Sequence, residues 1–254
     1  MSAPQTLTTN MPNGLTNADK TQTMGNAGIP DPSWAHVYHN DFDTYAAGDW
    51  TATVTGSGTQ ALTPADGGQL LLTTTTGAAD AVYMQLKAAG FVLAANKDTF
   101  FKFSGTLSDV VNDVFYCGLM NTTTTPNSPT DGVYIVKATG VATLSIVSVV
   151  SSVSTTVAFP SNLVLTNATA FEVGFHVDYL GNVEAFFNPG TGAQFGQLSP
   201  VSSSAGAQAG RGRVALIAAP TLTTAVLNPS FGILNSSGVA RTLAADYVTV
   251  VRQR

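Results

Sequence analysis

The sequence predicts an all-β protein, a single antiparallel β-sandwich preceded by an extended amino-terminal arm, and three observations support that reading. Only 10% of the 254 residues are charged, against roughly 25% in an average soluble domain, and Glu172 and Glu184 are the two glutamates of the chain. Thr, Ser, Val, Ala and Gly replace the Glu, Lys and Gln that coat helices, which favours strands. Short apolar or alternating runs recur with turn signals between them, and no run extends with helical period. Finally, residues 1–33 show neither period.

That first segment is rich in Thr, Asn, Gly and Pro, with turn signals at Pro12-Asn13-Gly14 and Ile29-Pro30-Asp31-Pro32. It carries too little apolar surface to offset the entropy of its own ordering, so it is either disordered or ordered by a partner. The chain therefore divides into an arm, 1–33, and a sandwich, 34–254.

Within the sandwich the strand candidates are 36–42, 50–55, 69–75, 81–86, 99–107, 114–120, 132–138 and 143–150, followed by 154–159, 170–179, 183–188, 213–218 and 246–252. Each is a run of β-branched, aromatic or aliphatic residues. Connectors such as Gly67-Gly68, Pro126-Asn127-Ser128-Pro129 and Gly190-Thr191-Gly192 separate them. About a dozen short strands at this spacing describe a sandwich of the jelly-roll kind.

The clearest strand is Phe171-Glu172-Val173-Gly174-Phe175-His176-Val177-Asp178-Tyr179, apolar at odd positions and polar or glycine at even ones. A sheet buried on one face requires that alternation. The segment Val183-Glu184-Ala185-Phe186-Phe187 follows. Pairing Tyr179 with Val183 across a three-residue loop keeps Phe175, Val177, Val183, Ala185 and Phe187 on one face, so that register is expected. It places Asp178 opposite Glu184 on the outer face, with His176 two residues away.

Composition excludes several function classes. The net charge of −5 gives no general affinity for nucleic acid. No stretch approaches 18 apolar residues, so no membrane-spanning helix is expected, and the amino terminus lacks a basic and apolar leader pattern. Cys117 is the single cysteine and lies in an apolar run, which reads as a buried inert thiol rather than a nucleophile. All five arginines (Arg211, Arg213, Arg241, Arg252, Arg254) fall after residue 210. They suit solvated strand ends or a polar contact with a partner.

Candidate chemistry is sparse. Paired carboxylates such as Asp178 and Glu184 could serve a glycosidase as acid and nucleophile, but they flank a turn where solvation is easy. His176, Asp178 and Glu184 are therefore a possible weak surface site. On one strand His39, Asp41 and Asp43 would share a face and could offer a cation one nitrogen and two carboxylates; one strand rarely completes a metal site, and polar edge residues are the simpler reading. Nucleophile motifs, phosphate loops and dinucleotide fingerprints are absent. No catalytic residue, metal or cofactor is expected. Aromatic residues including Trp50, Tyr83, Phe115 and Tyr134 belong mostly to the core, with one or two available as a sugar-stacking platform.

Two segments carry a resemblance. His39-Asn40-Asp41-Phe42-Asp43-Thr44-Tyr45 with Asp49-Trp50-Thr51, and Ala244-Ala245-Asp246-Tyr247-Val248-Thr249-Val250, resemble the first and last strands of concanavalin/laminin-G-like jelly rolls, in which the two strands lie side by side. In the arm, Asn10-Met11-Pro12-Asn13-Gly14-Leu15-Thr16-Asn17 and Gly28-Ile29-Pro30-Asp31-Pro32 resemble the start of head structural proteins of tailed bacteriophages. The similarity continues through His36-Val37-Tyr38, Asp66-Gly67-Gly68-Gln69-Leu70 and Thr130-Asp131-Gly132-Val133-Tyr134-Ile135-Val136-Lys137. This resemblance implies a capsid decoration, or cement, protein on the outer surface of the virion, with no catalytic residues. Its expected partners are the major capsid protein and other copies of itself, a trimer being favoured over a dimer. Met11, Pro12, Asn13, Leu15, Ile29 and Pro30 would make the arm contacts. Thirty-three extended residues reach on the order of 100 Å, enough to cross a subunit boundary. The alternative is a carbohydrate-binding module or host-attachment lectin of the virion, recognising a surface glycan.

Overall fold

Alternation along each strand decides which side chains meet between two stacked antiparallel sheets. The computed structural model describes residues 35–64, 67–87, 90–188 and 213–254. The arm and its six expected contact residues lie outside them. In chain order the strands are β1 (Ala35–Asn40), β2 (Trp50–Thr55), β3 (Thr59–Thr63), β4 (Gln69–Thr73), β5 (Ala81–Leu86), β6 (Thr99–Leu107), β7 (Asp113–Met120) and β8 (Gly132–Lys137). They continue as β9 (Leu144–Val150), β10 (Val153–Ala158), β11 (Ala170–Val177), β12 (Val183–Asn188), β13 (Arg213–Ile217), β14 (Asn228–Asn235) and β15 (Thr242–Gln253).

One sheet has eight strands in the order β13-β12-β11-β6-β15-β4-β3, with β1 also pairing β15. The other has seven, ordered β10-β9-β8-β7-β14-β5-β2. The expectation that the first and last strands are neighbours is met, since Ala35 pairs with Gln253 and Asn40 with Val248.

The core lies between the sheets. Phe101, Phe103, Phe171 and Phe175 come from the eight-stranded sheet, and Phe115 and Phe231 from the seven-stranded one; all are buried. Ring centroids of Phe103 lie 5.5 Å from Phe115 and 5.4 Å from Phe231, and Phe101 stacks on Phe175 at 5.1 Å. Such offset and tilted pairs add to the free energy of burying the rings. Cys117 is buried among these groups, and burial pushes its thiol well above the ordinary range, as an inert thiol requires. Lys137, also wholly buried, pairs with Asp113 at 2.9 Å and donates to the Val110 carbonyl at 3.0 Å.

Three strands depart from the sequence reading: β3 and β14 are absent from its strand candidates, and β15 starts earlier than expected. Strand β14 begins Asn228-Pro229-Ser230, which reads as a turn, yet Pro229 sits opposite Leu119 in a central strand. Pairing of β14 with β5 starts one residue later, at Ser230, so the missing proline N–H leaves that ladder intact. Strand β15 begins at Thr242 rather than 246. A bulge between Ala245 and Tyr247 shifts its register on β6, so Ala245 and Val248, three apart, both face the core. Simple alternation cannot reveal a strand that crosses such a bulge.

Candidate functional site

Strands β11 and β12 form the hairpin that the sequence singled out, two residues out of the expected register. His176, not Asp178, lies opposite Glu184, and Val177 pairs with Val183. The loop is thus five residues long. The reason is Asp178, whose Oδ1 accepts from the Leu180 N–H at 2.9 Å and the Asn182 N–H at 2.8 Å, while Oδ2 accepts from Asn182 Nδ2 at 2.8 Å. The Asp178 N–H also donates to the Asn182 carbonyl at 2.9 Å, so side chain and backbone together close the turn at this point. Because a two-residue shift preserves parity, the expected inner set of Phe175, Val177, Val183, Ala185 and Phe187 remains in the core.

His176 and Glu184 are not solvated turn residues. Both are buried on the outer face of the eight-stranded sheet. The imidazole stacks flat on Phe100, with centroids 4.1 Å apart. Its Nε2 lies 3.0 Å from Asp98 Oδ1, and its Nδ1 3.6 Å from Glu184 Oε2. Arg213 Nη1 donates to Glu184 Oε1 at 3.0 Å. Burial alone would lower the imidazole pKa, but the two carboxylates outweigh it and raise the value. Glu184 is held below its ordinary range, first by His176.

The same face carries a second ionic group. Lys102 Nζ is 2.8 Å from Glu172 Oε1, Asn188 Nδ2 donates to Glu172 Oε2 at 3.3 Å, and the Tyr247 hydroxyl donates to Glu172. Burial opposes ionisation of Glu172, but Lys102, Tyr247 and Asn188 together hold its pKa down. The β15 bulge lets Tyr247 face outward here, with Lys102 5.3 Å above its ring. Both glutamates of the chain are therefore ionised and paired. A glycosidase acid needs the reverse, a carboxyl group whose pKa is raised. The pair Asp178 and Glu184 does not meet across the hairpin and does not form such a site.

The outer face of the seven-stranded sheet is built differently. Tyr83 on β5, Tyr116 on β7 and Tyr134 on β8 come together there with Ala81, Met120, Val136 and Leu234. Tyr83 and Tyr116 have centroids 5.2 Å apart. Two glycines make the room. A Cβ on Gly232 would lie 2.5 Å from Tyr83 Cδ1, and one on Gly118 2.5 Å from Tyr134 Cβ. The Tyr116 hydroxyl is buried with no hydrogen-bond partner among the described residues, and burial drives its pKa well up. Tyr134 is half-buried. Beside the rings an uncharged polar group is buried: Gln85 Nε2 donates to Ser230 Oγ at 3.3 Å, and Asn228 Nδ2 to Thr122 Oγ1 at 2.8 Å. Sequence reading named Tyr83 and Tyr134 as strand aromatics. It could not place them with Tyr116, because cross-strand register is not local information.

The other sequence candidates separate. His39 Nδ1 lies 2.7 Å from Thr249 Oγ1. Strand β1 ends at Asn40 and Phe42 adopts φ 55°, so Asp41 and Asp43 leave the face that His39 occupies. Arg213 and Arg241 are in ion pairs, the latter with Asp109 at 2.9 Å, and Arg211 lies outside the described residues.

No known protein family matches the sequence, and no curated protein matches it by sequence. The fold does match solved structures. A protein of unknown function from Shewanella oneidensis MR-1 superposes with TM-score 0.55 at 10% identity, covering 87% of each chain. Peanut lectin does so with TM-score 0.54 at 11% identity, over 86% of this chain and 97% of the lectin. An endo-β-1,4-glucuronan lyase from the fungus Trichoderma reesei gives TM-score 0.52 at 12% identity, over 84% and 94%. The protein thus has a two-sheet jelly-roll β-sandwich fold that resembles those of lectins. At these identities the likeness defines the fold alone.

Proposed function

We propose that this protein binds carbohydrate, without transforming it, through the tyrosine-bearing outer face of its seven-stranded sheet. The observation that carries the proposal is the half-buried ring of Tyr134, packed with the buried Tyr83 and Tyr116 and near the buried uncharged side chains of Gln85, Asn228 and Ser230. A sugar presents a C–H face to an aromatic ring and hydroxyls to amide and hydroxyl groups, and ligand sites combine apolar lining with a few such polar groups. Tyr134, the most open ring, is the stacking residue; Tyr83 and Tyr116 hold it in place. Peanut lectin among the structures of the same fold agrees with this reading.

A glycan array followed by titration calorimetry tests it. The expected result is binding of at least one glycan class, lost in Tyr134→Ala without loss of folded structure. Binding to no glycan, or undiminished binding by Tyr134→Ala, overturns it.

A second reading is favoured by the sequence resemblance to phage head proteins. In it the protein decorates the outer surface of a capsid, with residues 1–33 contacting the major capsid protein, and a glycan-binding face would then point outward. Co-sedimentation with purified capsids is expected for the full chain and not after deletion of residues 1–33. Equal sedimentation of both forms, or of neither, counts against it.

A further inference from the structure

Natural sheets protect their outermost strands with lysine, proline, bulges or covering loops, because an unpaired edge recruits further strands. Strand β10, at one end of the seven-stranded sheet, carries no lysine, proline or bulge, and no described strand pairs its outer side. Its sequence, Val153-Ser154-Thr155-Thr156-Val157-Ala158, is uncharged, and no charged residue occurs anywhere between Lys137 and Glu172. It pairs only with β9 among the described strands, in unbroken register from Val153↔Val150 to Ala158↔Ser145. Five of its six residues are exposed, Val153 to 76%. A shallow cavity of about 250 Å³ runs beside it, lined by Ser148, Val150, Val153, Thr155, Pro220 and Thr221.

The hairpin fixes which groups face outward. Ser151 and Ser152 both adopt positive φ, 49° and 68°, the geometry of a two-residue type I′ turn. Such a turn closes on a hydrogen-bonded pair, here Val150 and Val153. The ladder then alternates, so Val153, Thr155 and Val157 direct their N–H and C=O groups to β9, while Ser154, Thr156 and Ala158 direct theirs away from the sheet.

The edge is complementary to itself. An antiparallel two-fold pairing that keeps inner faces together must place like-facing residues opposite one another. Centred on Thr155, it sets Thr155 against Thr155 of a second copy, Ser154 against Thr156, and Val153 against Val157. Every pair matches hydroxyl with hydroxyl or valine with valine, the combinations that favour cross-strand contact. The outward-directed groups of Ser154 and Thr156 fall into hydrogen-bonded positions. We propose that two copies of this chain associate through β10, joining their seven-stranded sheets into one continuous sheet across an isologous interface. This is independent of the glycan reading, because β10 lies at the edge of the sheet and the tyrosines lie on its face. A six-residue edge buries less than the roughly 1,000 Å² of a standard interface, so the association is expected in the micromolar range.

Sedimentation velocity on the full-length chain over a concentration series tests the proposal. The wild type is expected to pass from monomer to dimer. Thr155→Lys, which brings two like charges together at the axis, is expected to weaken the dimer at least tenfold. Thr53→Lys, on the opposite edge strand β2, is expected to leave it unchanged. Thr155→Cys adds a positive signal: the paired positions lie at a non-hydrogen-bonded site about 4.5 Å apart, within disulfide range, and the native thiol is buried. Oxidation should therefore yield a covalent dimer. A wild type that stays monomeric, a trimer that Thr155→Lys leaves intact, or an effect of Thr53→Lys without one from Thr155→Lys overturns the proposal.

Discussion

The two outer faces of the sandwich use opposite chemistry on the same backbone geometry. On the eight-stranded sheet the side chains are ionic and several charges are paired: Asp98 and Arg213 flank His176 and Glu184, and Lys102 sits on Glu172, while Asp246 accepts from Ser104 Oγ at 3.0 Å. On the seven-stranded sheet the corresponding positions are tyrosine, amide and hydroxyl, and one buried hydroxyl, that of Tyr116, has no partner among the described residues. A satisfied ionic network holds strands together and leaves little capacity for a ligand. An aromatic face with a half-buried ring, that of Tyr134, has such capacity. The contrast locates the candidate ligand face away from the residues most often suspected of chemistry.

The strongest way to break the contrast is Glu172→Ala. It leaves Lys102 without its counter-ion and removes the acceptor of Tyr247 and Asn188. The expected loss is about 2–4 kcal/mol, below that of a fully buried pair because Lys102 keeps some contact with solvent. Urea denaturation measures it, and a loss under about 1 kcal/mol would mean that the network does not hold the face together.

On the other face, Gly232→Ala drives a methyl group against the Tyr83 ring. The expected cost is about 1–3 kcal/mol, the range for overpacking a tight site. Glycan binding should fall with it, since the rings must move.

A smaller effect comes from pH. The His176 pKa is raised in the folded protein, so the imidazolium contributes stability that is fully present below the ordinary value near 6.5 and is lost as pH rises through the folded value. Thermal melts from pH 5 to 9 should show this decline in the wild type and a flatter profile in His176→Gln. Identical profiles would show that the pairs with Asp98 and Glu184 do not bias the ring.

The smallest change is expected from Tyr116→Phe, which removes a buried hydroxyl that gains nothing from the fold. Stability should stay within about 0.5 kcal/mol of wild type or rise slightly. A clear loss would mean that the hydroxyl has a partner in the folded protein.

Much of the architecture was legible in the chain. Strand β11 shows its buried face through Phe171, Val173, Phe175 and Val177, and the inner side of β12 follows from the same alternation. The side-by-side placement of β1 and β15 was also expected. Three of the hidden features have separate physical reasons. Pro229 disguises a central strand as a turn. The bulge at Asp246 breaks the period of β15. Asp178 lengthens a hairpin loop by bonding to its backbone, which moves Asp178 out of the pair it was expected to form.

By itself the sequence determined the fold class, because alternation and turn chemistry act over a few neighbouring residues and are written locally. It also determined that charge would be scarce and that the chain would lack familiar catalytic motifs. Only the tertiary structure decided which polar groups meet. His176 joins Asp98 across 78 positions of sequence, and Tyr83 joins Tyr116 through β14, which inserts between their strands from much later in the chain. Cross-strand register and strand order fix such meetings, and both depend on the packing of the whole core rather than on any local run of residues.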